Sequence, residues 1–193
     1  NMQTKVARLA VDLLVREPDI EGFFGALSKT MVEESESHTC AVWLIDEDLQ
    51  RCELWMAYVK DRLYMPHHIV GGRLSNEMSK PFPADSMAAH LFQYATGWTQ
   101  TVEYSADDAR LPDAIREFNC QKGLNETVST PLLLGSRTLG WMTVCSQQFS
   151  EPESRWWRAI LAEAIAQHAA LALHHSRLID LHRREERRAA RPP

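Results

Sequence analysis

The segment AEAIAQHAALALHHSRLIDLHRREE, residues Ala162 to Glu186, contains neither proline nor glycine. Because these two residues are the strongest helix breakers, the segment predicts one long helix near the end of the chain. His168, His175 and His182 are spaced seven residues apart along it. A helix of this length needs a cover for its apolar residues, so the rest of the fold has to be arranged around it.

Two stripes of side chains run along the predicted helix. One stripe comprises Leu161, Ala164, Ile165, His168, Leu171, Ala172, His175, Leu178, Ile179 and His182. The other consists mostly of alanine and ends near Leu173. The pattern therefore predicts burial on two sides up to about Leu173 and on one side beyond it. At about 1.5 Å per residue, the later part would project roughly 20 Å.

A projecting helix with one apolar stripe would expose that stripe to water, which is unfavourable. The sequence therefore predicts a parallel homodimer joined by a short coiled coil. The predicted contact residues are Leu161, Ile165, His168, Leu171, His175, Leu178 and His182. Helical spacing predicts that residues 1–18 form a further helix that joins this bundle. Residues 19–173 would be the globular domain, and residues 174–193 the projecting helix and tail.

The histidines on the stripe have three interpretations. They can form partly hydrated polar layers that loosen the packing between the helices. They can form a pH-sensitive contact, because stacked imidazoles repel when they are protonated near a pKa of about 6.5. They can also hold a metal ion shared by two copies. The sequence leaves all three open.

Composition excludes several classes of function. The chain of 193 residues is 45% hydrophobic, which is enough for one globular domain with a core. Its formal net charge of -5 gives no general attraction for nucleic acid or an anionic membrane. The apolar runs are far below the roughly 20 residues of a membrane helix, so we expect a cytoplasmic protein. Because Asn1 precedes Met2, we also expect a fragment of a longer polypeptide.

The middle of the chain contains strand patterns. The runs TCAVWLI and CELWMAYV predict a hairpin that turns near residues 46–49. Apolar side chains occupy both faces of these runs, so the sheet should be covered on both sides. TVSTPLLLGSRTLGWMTVCS predicts a second hairpin that turns at residues 135–137, with Pro131 at an edge or bulge. With short helices around residues 85–95 and 111–118, the order predicts an α+β fold.

These segments carry a family resemblance. SHTCAVWLIDED, STPLLLGSRTLGWMTV followed by FSEPE, and IAQHAALALHHSRL resemble the first strand, the closing hairpin and the final helix of a GAF domain. The resemblance implies a GAF/PAS-like central antiparallel sheet with helices on both faces and a long C-terminal helix. GWTQTVEYSADDARLPDAIREFNCQKGL also resembles GAF sensors upstream of bacterial histidine kinases. This implies a non-catalytic sensor that binds a small molecule and signals to a downstream output domain.

The resemblance also implies a ligand pocket between the sheet and the short middle helices. Trp43 matches the first-strand aromatic residue that faces this pocket in chromophore-binding relatives. The other predicted wall residues are Met87, His90, Leu91, Trp98 and Phe118. Plain core packing also explains them, because apolar residues at helical spacing need no ligand.

Several cofactors known in GAF relatives are not predicted. The residues around Phe149 lack the Asn-Lys and acidic pairs of cyclic-nucleotide-binding domains. Asp85-Ser86-Met87 replaces the Asp-Ile-Pro of bilin-binding relatives, and no Cys-x-His follows. Haem would need an axial ligand, for which only His90 lies on a predicted pocket helix.

Cys120 raises the alternative of an enzyme. Its distance from Pro131 resembles that of the reactive cysteine in free methionine sulfoxide reductases, which are GAF proteins. That chemistry needs a resolving thiol, and the preceding helix and strand contain no other cysteine. We therefore expect no catalytic residues and no metal ligands. The main alternative to a sensor is a degenerate GAF domain that acts only as a dimerisation scaffold.

Overall fold

The computed structural model describes residues 19–46, 51–64, 82–83, 101–109, 111, 113–148 and 151–192, together with Arg8 and Asp12. In chain order the elements are α1 (Ile20–Glu34), β1 (Thr39–Asp46), β2 (Arg51–Val59), β3 (Arg62–Tyr64), β4 (Phe82–Pro83), β5 (Val102–Ser105), α2 (Asp113–Gln121), β6 (Glu126–Leu134), β7 (Arg137–Ser146) and α3 (Pro152–Ala189). Arg8 and Asp12 lie in helical backbone and are exposed.

The strands form one antiparallel sheet in the order β3-β2-β1-β7-β6-β5, and β4 pairs with β2 outside this path. β1 pairs along its length with β2 and, from Thr39 to Leu44, with β7. The second predicted hairpin is confirmed, since β6 and β7 are paired up to Leu134 and Arg137. The predicted α+β class, with its antiparallel sheet and long final helix, is thereby confirmed.

Pro131 lies at a position of the sheet that can accommodate a proline, as predicted. β5 pairs with β6 only from Glu126 to Ser129, so its ladder ends before Pro131. A bulge between Leu132 and Leu133 follows at once. A proline, which has no N–H, is accommodated at such a position because no ladder donor is required.

The sequence pattern does not predict the short strands β3 and β4. β3 returns along β2 through a turn at Lys60, which has a φ of 54°. That conformation favours glycine or asparagine, and neither marks this turn. The pairing of β3 is therefore visible only in the folded chain.

The core lies between one face of the sheet and the helices α1 and α3. Asp19 caps α1, and its Oδ1 accepts a hydrogen bond from the backbone N–H of Gly22 at 2.7 Å. α1 then buries an aromatic and aliphatic face that includes Phe23, Phe24 and Leu27. α3 packs mainly on β6.

The buried side of α3 is one continuous stripe. It consists of Arg158, Leu161, Ala162, Ile165, Ala166, Ala169, Ala170 and Leu173. Its alanines allow the helix backbone to approach the sheet closely. From residue 174 to residue 192 no side chain is buried. The boundary of the domain near Leu173 stays a prediction. None of the described helices combines the length and apolar character that a membrane crossing requires.

Candidate functional site

The sheet face that points away from α1 and α3 carries the predicted pocket residue Trp43. In the β1–β7 ladder Trp43 lies opposite Trp141, and its Nε1 donates a hydrogen bond to Thr143 Oγ1 at 3.2 Å. Neighbouring residues on a strand point to opposite faces, so Val42 and Val144 point to the helices instead. Trp43 is only 3% exposed and Trp141 is fully buried. The prediction of a sheet covered on both faces is thus confirmed.

The second face carries several buried hydroxyl groups on adjacent strands. Ser129 lies opposite Thr143 in the β6–β7 ladder, and Thr127 lies opposite Cys145. Thr127, Ser129 and Thr143 are buried. Thr127 Oγ1 lies 3.4 Å from Cys145 Sγ, whereas Ser129 Oγ has no hydrogen-bond partner in the part of the chain that the structure describes. An unpaired buried hydroxyl costs about 1–3 kcal/mol, so a polar ligand atom beside Ser129 would stabilise this face.

Trp141, Thr143 and Ser129 belong to this face but were not among the predicted site residues. The sequence pattern that marks them is an alternation of small hydroxyl residues with apolar residues in two adjacent strands, as in TVSTPL and GWMTVCS. The alternation identifies a polar face only after the register shows that the two sets of hydroxyls lie side by side.

The other predicted pocket residues lie outside what the structure describes. Met87, His90, Leu91 and Trp98 lie outside the described residues, as does the predicted helix around them. Phe118 lies on α2, but its side chain also falls outside the description. The pocket, including the role of Trp43 in it, therefore stays a prediction.

The described thiols show no arrangement for redox catalysis. Cys40, Cys120 and Cys145 are not in disulfides. Cys40 lies opposite Val144, so Cys40 and Cys145 point to opposite faces of the sheet. Burial raises the pKa of Cys40 to about 12 and also raises the pKa of Cys145. Neither thiol supplies an appreciable thiolate near neutral pH, and Cys120 lies exposed at the end of α2.

α3 carries a second candidate site on its solvent side. Leu171 and Leu178 are 58% and 49% exposed, His168 is half-buried and His175 is exposed. With His182 they alternate at spacings of three and four, which places them on one face of the helix. We call these five residues the α3 seam. It lies beside the buried stripe and points away from the sheet.

Two residues predicted to be dimer contacts lie instead in the core of the chain. Leu161 and Ile165 are each 2% exposed and pack in the cluster that joins α1, α3 and the sheet. At 100° per residue they fall between the alanine stripe and the α3 seam, and α1 covers this side of the helix. The face of α3 that a partner can reach therefore begins near His168.

A groove of about 570 Å³ lies between the start of α1 and the exposed half of α3, and it is lined in part by His168, Leu171 and His175 of the α3 seam. Ile20 and Phe23 contribute from α1, and Leu171, Ala172 and Ile179 contribute from α3. Asp19 also lines the groove.

Comparisons with known proteins find the fold but no sequence family. No family model matches the sequence, and no curated protein matches it. Among solved structures, the GAF domain of an Acinetobacter phosphoenolpyruvate-protein phosphotransferase is 13% identical, with a TM-score of 0.62, over 93% of this chain and 98% of that one. The phycoerythrobilin-bound GAF domain of a cyanobacterial phytochrome is 13% identical, with a TM-score of 0.63, over 92% and 97%.

A third neighbour places the same fold in a longer protein. The bacteriophytochrome of the photosynthetic bacterium R. palustris is 12% identical, with a TM-score of 0.61, and the match covers 97% of this chain but 40% of that one. At such low identities the likeness concerns architecture alone. The order of strands in the sheet, the two helices on one face and these matches lead to one conclusion: this chain has the fold of a GAF domain.

Proposed function

We propose that this chain is a sensory domain of a bacterial signalling protein, with a histidine kinase as the expected parent. It binds a small molecule on the Trp43 face and transmits the change through a dimer of α3 helices to an output domain. The exposure of Leu171 and Leu178 on a regular seam is the observation that carries this proposal. The R. palustris neighbour, in which the same fold is part of a longer chain, supports the presence of further domains.

A second copy is the partner that fits the α3 seam. The seam repeats every seven residues, with histidine and leucine alternating, and this repeat is the pattern by which two identical parallel helices interlock. A parallel arrangement also places both C-terminal ends side by side, where two output domains would follow. Dimerisation would cover the two exposed leucines of the seam.

Residues 1–18 supply the second helix of each copy in this proposal. Arg8 and Asp12 are helical and exposed. By helical spacing, Val6, Leu9 and Leu13 lie on a different face of this helix. The apolar groove beside Asp19 is a suitable cover for that face, because it begins where this segment joins α1.

Strand β6 contributes side chains both to the Trp43 face of the sheet and to the face that packs against α3. Thr127 and Ser129 point to the second face, whereas Val128 and Thr130 point to the helices. Thr101 Oγ1 donates to Thr130 Oγ1 at 3.0 Å and lies 3.2 Å from Glu163 Oε2 on α3. A ligand that shifts β6 would therefore shift the base of α3. Such a shift requires that the ligand bind one arrangement more tightly than the other.

The dimer is tested by Leu178→Glu, with Leu181→Glu as the matched control. Leu181 is similarly exposed, at 54%, but lies off the α3 seam. In sedimentation velocity at micromolar concentration we expect the wild type and Leu181→Glu to be dimers and Leu178→Glu to be a monomer, because a charge in the seam is desolvated on association. A monomeric wild type, or equal effects of the two substitutions, would contradict the proposal.

The ligand is tested by native and then denaturing mass spectrometry of the same dimer. A small mass that is released on denaturation, and is reduced in Ser129→Ala, supports a ligand on the Trp43 face. The scaffold alternative is supported by a dimer that releases no such mass and becomes more stable in Ser129→Ala. Without a ligand, the unpaired hydroxyl would only destabilise the folded chain, so its removal would stabilise it.

A further inference from the structure

Side chains cross the Trp43 face of the sheet in rows, because residues that lie directly opposite one another in paired strands point to the same side. One row holds large residues: Leu54, Trp43, Trp141 and Pro131. The next row holds smaller ones, and we call it the small row: Ala57, Ala41, Thr143 and Ser129. Two residues along a strand separate the rows by about 7 Å. The small row is therefore a low floor beside two indole rings.

The structure leaves space above the small row. Ala41 lies inside the sheet, paired with β2 on one side and with β7 on the other. It can therefore be reached only from the face to which it points. Ala41 is nevertheless half-buried, whereas Trp43, two residues further along the strand, is only 3% exposed. An accessible alanine beside a buried tryptophan indicates that open space reaches the sheet at the small row.

One end of the small row carries two hydroxyl groups. Ser129 and Thr143 lie opposite each other in the β6–β7 ladder. Ser129 is 1% exposed, and its Oγ has no hydrogen-bond partner among the described residues. Thr143 Oγ1 accepts a hydrogen bond from Trp43 Nε1, and a hydroxyl group that accepts still has its own hydrogen to donate. Two neighbouring donors of this kind match a carbonyl oxygen or a ring nitrogen on the edge of a ligand.

The surroundings of the small row disfavour charge. The row that follows it consists of Thr39, Cys145, Thr127 and Tyr104. Burial raises the pKa of the Cys145 thiol and of the Tyr104 hydroxyl, so both stay neutral near pH 7. The side chains named in the three rows are thus all uncharged at that pH. An ionic ligand would lose its hydration on this floor without gaining an opposite charge from it.

We propose that the Trp43 face binds an uncharged, flat aromatic molecule that carries a carbonyl oxygen or a ring nitrogen on one edge. This inference rests on the proposed ligand site and names the class of its ligand. The rings lie over the small row beside the indoles of Trp43 and Trp141, and the acceptor edge meets Ser129 and Thr143. From Ala41 on β1 to Ser129 on β6 the row spans two strand spacings, about 10 Å. That length suits a molecule of two fused rings, and contact with the indoles favours an aromatic one.

Coumarin is the probe for this class, since it is uncharged, flat and bicyclic and carries a carbonyl oxygen. Coumarin-3-carboxylate adds a negative charge to the same ring system, and naphthalene has a similar shape without an acceptor. Equilibrium dialysis measures the dissociation constant of each probe with the full chain, after dialysis has removed other small molecules. We expect coumarin to bind at least tenfold more tightly than coumarin-3-carboxylate, because the carboxylate has to be desolvated.

Ser129→Ala should weaken the binding of coumarin about fivefold and leave that of naphthalene unchanged, because only coumarin has an acceptor for the hydroxyl group. Ser28→Ala is the matched control: Ser28 is just as buried but lies on α1, at the other face of the sheet, so coumarin should bind as before. Ala41→Leu should abolish the binding of coumarin and naphthalene by filling the space above the small row. Unfolding in urea shows whether each variant is folded.

Two results would overturn the ligand class alone. One is equal affinity for coumarin and coumarin-3-carboxylate, and the other is unchanged affinity for coumarin in Ser129→Ala. The proposed ligand site would then stand for a molecule of another class, whose mass denaturing mass spectrometry gives. A chain that binds none of the three probes and releases no small mass on denaturation overturns the ligand class and the ligand site together.

Discussion

At the scale of single residues, one buried ion pair fixes the start of α3 to the sheet. Arg158 on α3 is 2% exposed, and its Nη1 lies 3.1 Å from Oε2 of Glu126, which is 14% exposed, at the start of β6. Such a pair is stable only while both members are present, because either charge alone would remain poorly solvated. The first half of α3 is thus attached to the strand that carries Thr127 and Ser129.

Arg158→Met is expected to destabilise the folded chain by about 3 kcal/mol, because it leaves the Glu126 carboxylate without its cation. Arg158→Met combined with Glu126→Gln should recover part of this loss. The free energy of unfolding in urea measures both. Arg116→Met is the control: the ion pair of Arg116 with Asp113 is far more exposed, so the change should stay within about 0.5 kcal/mol. Additive losses in the double variant would show that Arg158 and Glu126 are not coupled.

At the scale of elements, β1 and β7 approach unusually closely at Gly140. This residue lies opposite Leu44 in the ladder. A Cβ atom added to Gly140 would lie 2.0 Å from the backbone oxygen of Trp43. The close approach brings the backbone of β7 against the residue that carries the candidate pocket tryptophan.

Gly140→Ala is therefore expected to destabilise the chain by about 2 kcal/mol or more, because backbone atoms cannot move aside as the end of a side chain can. The shift should also change the fluorescence of Trp43. Ser136→Ala, in the exposed turn of the same hairpin, should change the free energy of unfolding by less than about 0.5 kcal/mol. An unchanged urea midpoint in Gly140→Ala would mean that the two strands are not held this closely in solution.

The elements also show why some of the fold could be predicted and some could not. α3 and the β6–β7 hairpin have long, regular patterns, and their positions follow from the sequence. β3 and β4 are too short to have a pattern, so their pairing with β2 depends on the assembled sheet. Leu161 and Ile165 were assigned to the contact between copies because apolar spacing continues without a break from the core residues to the α3 seam, so spacing alone does not show where the buried face ends. Ser129 was missed because a strand pattern alone does not show which face holds polar groups.

At the scale of the whole molecule, α3 joins two environments. Up to Leu173 it is part of the hydrophobic core, and beyond Leu173 it contributes no buried side chain. In the proposed dimer, the stability of the domain would depend on the first part of this helix, whereas association would depend mainly on the later part. A movement at the base of α3 would reach its far end because a helix transmits displacement along its hydrogen-bonded backbone.

This division predicts the behaviour of a chain that ends at Ser176. It keeps every buried residue of α3, so in dilute solution its thermal midpoint should lie within a few degrees of that of the full chain. The full chain should unfold at higher temperature as its concentration increases, because association stabilises the folded state by mass action. The shortened chain should show no such dependence. Calorimetry over a hundredfold range of concentration measures both slopes. A shortened chain whose midpoint still increased with concentration would place the contact between copies on the domain itself, not on the α3 seam.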